Sequence, residues 1–87
     1  MNQQADGSII RRTRFTFLDR MIKEPVIYQL GRDFEVVTNI RRADVQEGVG
    51  WVILELEGSE PEIERSLDWV MSLGVRVDPV ISDVVEG

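Results

Sequence analysis

Eighty-seven residues, 43% apolar and 30% charged, make one small folded domain rather than two domains or a disordered chain. Cysteine and histidine are both absent, which excludes disulfides, thiolate metal sites, iron–sulfur clusters, cysteine nucleophiles and every Ser-His arrangement. The formal charge is −6, and an acidic total opposes broad nucleic-acid binding, which rests on neutralising phosphates.

The longest uninterrupted apolar run, Trp51 to Leu54, is far short of the ~20 residues of a membrane helix. No apolar segment follows Met1, so the sequence predicts neither a signal peptide nor membrane insertion, and a cytoplasmic location. Met1 to Asp44 holds 8 basic and 6 acidic residues, whereas Val45 to Gly87 holds 2 basic and 10 acidic. That asymmetry reads either as solvated surface or as a dipolar molecule whose ends attract across a subunit interface. A chain this short buries little more than ~60% of its unfolded surface, so help from a second subunit is expected.

Along the chain, residues 1–10 read as a flexible tail. Thr13, Phe15 and Phe17 alternate with Arg14, Thr16 and Leu18, the period of a first strand. Asp19 to Glu24 reads as a loop. Pro25 suits a helix start, and Val26, Ile27, Leu30 and Phe34 fall at helical spacing, so a first helix runs from Pro25 to about Asp33. Val36 to Val45 is a second strand, and Gly48 and Gly50 mark a tight reversal. Trp51 to Glu57 is a third strand whose apolar start suggests burial on both faces, with Gly58 ending it.

Ser59 and Glu62 have the spacing of a capping box, and Ile63, Leu67, Val70 and Met71 form the stripe of a second helix. Gly74 stops that helix. A short last strand spans Val75 to Val80, and Pro79 places it at an edge. Residues 82–87 read as a second tail, leaving a domain over residues 11–81.

The order β-α-β-β-α-β predicts a ferredoxin-like α+β fold, a four-stranded antiparallel sheet of order 4-1-3-2 with two helices on one face. The uncovered face should be polar, yet strands two and three carry apolar residues in both registers. Something therefore covers that face, and a second copy is the simplest candidate. Ile40, Trp51 and Ile53 are the interface residues this reading names. Trp69, off the stripe of its helix, either lies over the adjoining loop or joins the interface.

No catalytic constellation stands out, and the sequence predicts no enzyme, no cofactor and no metal site. The loop Leu18-Asp19-Arg20-Met21-Ile22-Lys23-Glu24 has an arginine but lacks the glycine-rich cradle with which acylphosphatases hold phosphate. The carboxylates from Glu55 to Glu64 show no EF-hand spacing. RNA-binding domains share the order of elements, but Phe15 and Phe17 point to the core, and no nucleic-acid partner is expected.

The segments Pro25-Val26-Ile27-Tyr28, Phe34-Glu35-Val36-Val37-Thr38-Asn39-Ile40, Gly50 to Gly58, Leu67-Asp68-Trp69-Val70 and Gly74-Val75-Arg76-Val77 resemble the NIL domain. The likeness runs from Arg12 to Val80. Arg41 stands where the family's Asn-Ile-Leu run has leucine. The resemblance implies an ACT-like regulatory domain of the kind found at the C-terminus of methionine ABC importer ATP-binding subunits, which dimerises and binds the transported amino acid. No Walker sequence is present, so no ATP hydrolysis is expected. The chain is either a free-standing protein or a fragment, and Met1 favours the former.

Carried over residue by residue, Asn39 matches the motif asparagine, and Ile27 and Val52 match positions that line an apolar pocket. A carboxamide offers a donor and an acceptor to an amino acid, or it satisfies local backbone groups. Arg41 either shrinks the pocket or pairs with the ligand's carboxylate. Two functions follow: a homodimeric sensor of a small, methionine-like amino acid, acting on a transporter or metabolic partner, or an interaction module without ligand.

Overall fold

Strand pairing begins at Ser8 in a computed structural model that describes residues 7–18, 25–46 and 48–81. The expectations for residues 1–6, the loop 19–24 and the tail 82–87 lie outside the described residues. Strand β1 spans Ser8–Leu18. It starts five residues before Thr13 and takes in residues 8–10, because its first half pairs with the far end of the third strand (Ser8 opposite Ser59, Arg12 opposite Glu55).

Helix α1 covers Val26–Asp33 and buries Val26 and Leu30. Strand β2 runs over Val37–Gln46 and β3 over Val49–Ser59, joined by a reversal in which Gly48 takes φ +85°. That value lies in the left-handed region open to glycine. Helix α2 covers Glu60–Ser72, and Gly74 (φ +94°) turns the chain into β4, Arg76–Pro79. The sheet order is β2-β3-β1-β4 with every pair antiparallel. This is the ferredoxin-like βαββαβ arrangement predicted, with β1 and β3 central and β4 at an edge.

One face of β3 makes the floor of the core. Val52, Leu54 and Leu56 are buried with Phe15 of β1 against Val26 and Leu30 of α1 and Ile63, Leu67 and Val70 of α2. Trp51, Ile53 and Glu55, between them, are half-buried on the other face. The expected two-sided burial of β3 is therefore one full face and one partial face. The hydroxyl of Thr13 is buried in this core without a hydrogen-bond partner among the described residues.

Gly58 does not end β3. It lies inside the strand opposite Ile9, and a Cβ there would sit 2.8 Å from the Glu35 carbonyl oxygen. The glycine serves a close backbone approach rather than a turn. Beyond it, half of the capping box forms: the Glu62 N–H donates to Ser59 Oγ at 3.3 Å. The Glu62 carboxylate turns elsewhere. It accepts from Arg65 at 3.1 and 3.3 Å and from the Glu35 N–H at 3.0 Å, tying α2 to the chain that leaves α1.

Gly58→Ala should destabilise the domain by about 1–3 kcal/mol, the usual cost of forcing extra atoms into a filled site, read as a lower urea midpoint. An unchanged midpoint would show that the backbone at Glu35 yields freely. Arg65, and after it the Glu35 N–H, hold the Glu62 carboxyl below its ordinary range. With the folded pKa below the unfolded one, this contribution is complete above about pH 4.3 and disappears as pH falls through the lowered value. Glu62→Gln should therefore flatten the acid side of the melting-temperature profile; parallel profiles for the two proteins would refute the link.

Candidate functional site

Gly50 sits in the sheet directly between Phe17 of β1 and Val45 of β2. It is buried and contributes only backbone to the helix side of the sheet. A cavity of about 270 Å³ lies beside it, beneath the first turn of α1. Val26, Ile27 and Tyr28 line it from the helix, Ile40, Ala43 and Val45 from β2, and Phe17, Gly50, Trp51 and Val52 from the central strands. The walls are mostly hydrocarbon.

A β-bulge makes this lining possible. Ile40 pairs with Leu54, but Arg42 pairs with the adjacent Ile53, so Arg41 is the extra residue. A bulge shifts the alternation by one. Even-numbered Ile40 and odd-numbered Ala43 and Val45 thereby share one face, whereas an unbroken strand would send them to opposite faces.

The start of α1, which borders the cavity, brings backbone amides to it. The first helical bond here is Gln29 N–H to the Pro25 carbonyl at 3.0 Å. The N–H groups of Val26, Ile27 and Tyr28 precede it, and among the described residues no side-chain cap bond is made at the N-cap residue Pro25. Such amides, with the positive end of the helix dipole, favour a carboxylate.

The structure brings Ile27 and Val52 together across this cavity and adds Ile40 to them. Asn39 is elsewhere. It lies opposite Glu55, and directly opposed residues share a face, so its carboxamide is on the open side of the sheet. Arg41 is on that side too, 3.6 Å from Glu55, which also binds Arg12 at 2.6 Å. Arg41 thus points away from the cavity. Ile53 is on the open face, as is the ring of Trp51, which the guanidinium carbons of Arg14 and Arg42 each approach to 5.9 Å. Trp69 packs on Phe34 just past the end of α1, ring centroids 5.7 Å apart.

Sequence reasoning did not single out Ala43, Val45 or Gly50 for the cavity. The signal was the switch of apolar residues from even to odd positions between Ile40 and Val45. Among the described residues no cluster of three carboxylates could hold a metal ion, and no helix is long and apolar enough to cross a membrane.

The family profile that matches is the NIL domain, over residues 11–79. Among curated proteins, methionine import ATP-binding protein MetN of Helicobacter pylori (strain J99) is 30% identical over 81 residues, covering 88% of this chain and 25% of that protein. The protein of the same description from Helicobacter acinonychis (strain Sheeba) is 28% identical over the same shares. The chain thus spans about a quarter of the length of these relatives. Among solved structures, the C-terminal domain of an ABC transporter ATP-binding protein from Enterococcus faecalis superposes with a TM-score of 0.70 at 20% identity, covering 83% of this chain and 84% of that one. At that identity the likeness is one of fold.

Replacing Glu55 by Gln removes the carboxylate that Arg12 and Arg41 share. Its side chain is only 19% exposed, so the loss should be about 1–2 kcal/mol in urea unfolding, smaller at high salt. No loss at low salt would show the cluster to be energetically neutral.

Proposed function

This chain belongs to the NIL domain family, and from that premise we propose that it is a non-catalytic regulatory domain binding a small apolar amino acid, methionine-like, as a homodimer. The supporting observation is the cavity under α1. Its about 270 Å³ lies just below the ~300–1,000 Å³ of ordinary ligand pockets, a scale that suits an amino acid better than a nucleotide. Ile27, Ile40 and Val52 receive the apolar side chain. The first-turn amides of α1 receive the α-carboxylate. Relatives named for methionine import support the choice of amino acid and a cytoplasmic transporter subunit as the regulated partner.

The homodimer forms through β2. Among the described residues this strand pairs only with β3, and it presents Val37, Ile40 and Val45, each more than half exposed, along an edge that a further strand can join. The cavity shares β2 with that seam. A ligand that binds one dimer arrangement more tightly than another would shift the balance between them.

Thermal denaturation with each of the twenty amino acids tests the reading. A specific ligand at ~100 times its dissociation constant should add roughly 2.7 kcal/mol of stability. Ala43→Leu, which adds hydrocarbon to the cavity wall, should remove the shift, and Asn39→Ala should leave it. The reverse pattern would put the ligand on the open face. No shift with any amino acid would leave the ligand-free interaction module. Light scattering should give twice the chain mass; a monomer at all concentrations would refute the dimer.

A further inference from the structure

On the open face of the sheet five arginines (Arg12, Arg14, Arg41, Arg42, Arg76) stand among four carboxylates, in a chain whose formal charge is −6. Those carboxylates are engaged. Glu55 binds Arg12 and Arg41, Asp78 binds Arg76 at 2.9 Å, Asp44 accepts from the Gln46 carboxamide at 2.7 Å, and Glu57 is not free. Among the described residues, Arg14 and Arg42 alone on this face make no ion pair. Each lies directly opposite Ile53, one on either neighbouring strand. Both lean on the Trp51 ring at 5.9 Å. A ring contact of this kind orients a guanidinium without neutralising it or using up its N–H donors.

From this juxtaposition we propose that the open face docks an acidic polypeptide segment of another protein. Two carboxylates of the segment engage Arg14 and Arg42, and an apolar side chain between them rests on Ile53 and Trp51. Charge complementarity selects this occupant. A second copy would bring the same excess of arginine and be repelled. A sheet face is broad and shallow, unlike the concave sites that hold small ligands. Single-stranded nucleic acid needs free aromatic faces for base stacking, and Trp51 is the one aromatic ring on this face among the described residues, already contacted by two guanidiniums. Trp51 also borders the cavity, but Arg14, Arg42 and Ile53 do not, so a change confined to the cavity wall at Ala43 separates the two sites.

Trp69→Phe leaves Trp51 as the only tryptophan and hence as reporter. A synthetic peptide repeating Glu-Ser-Leu-Ser, acidic and apolar by turns on one extended face, should produce a saturable change in Trp51 emission. Binding should weaken several-fold from about 50 to about 200 mM salt and vanish in the Arg14→Gln/Arg42→Gln double variant, while Ala43→Leu leaves it intact. If the double variant melts early, Arg42→Gln alone, on the edge strand, should still weaken binding. No response, an equal response to the Lys-Ser-Leu-Ser peptide, or full binding by the arginine variants would overturn the proposal. So would saturation by inorganic phosphate or by a single-stranded oligonucleotide instead of the peptide, or an emission change with protein concentration alone, which would identify a second copy as the occupant.

Discussion

The burial of Val52, Leu54 and Leu56 beneath two helices is the contact on which the remaining architecture depends. These side chains come from β3, which is hydrogen-bonded on both edges, so placing them also places β1 and β2. Removing three large aliphatic groups from water contributes roughly 1.5–3 kcal/mol each. Strand geometry then fixes the intervening residues: Trp51, Ile53 and Glu55 must face the other way. The cavity and the arginine-rich surface are accordingly two sides of one short stretch, Gly50 to Glu55. Gly50 borders the cavity above the sheet, while the ring of Trp51 gathers arginines below it.

The uneven distribution of charge along the chain is partly resolved inside the molecule. Arg11 on β1 reaches Glu64 at 2.6 Å and Glu60 at 3.6 Å on α2, so the basic first half and acidic second half meet within one subunit. Both glutamates are more than half exposed, and pairs of this kind contribute little to stability. Their effect is on distribution: they consume positive charge at one end of β1 and leave the surplus near its middle, at Arg14.

The fold is legible in the sequence wherever a local pattern has one structural meaning. The period of two in Thr13-Phe15-Phe17, the helical stripe from Ile63 to Val70, the Ser59 cap and the left-handed Gly74 are of this kind, and together they define the sheet order. Reading falters where one signal serves two purposes. Gly58 resembles a strand terminator, but its role is set by the Glu35 carbonyl, a neighbour more than twenty positions away. The mixed registers of β2 suggest an apolar outer face, whereas a bulge at Arg41 returns Ala43 and Val45 to the inner side. For the candidate site, Ile27 and Val52 were visible through resemblance. The opposite orientation of Asn39 follows from pairing with Glu55, which no sequence spacing discloses.

The two borders of the sheet differ in a way that bears on how large an assembly can become. β4 is four residues long and contains Pro79, which has no amide hydrogen to offer a neighbour. β2 is ten residues long and interrupted only by its bulge. A slab with one receptive margin and one blunted margin has no means of unlimited growth: once two molecules have joined by their receptive margins, neither has another to present. Edge-to-edge joining of the kind proposed would therefore stop at two molecules.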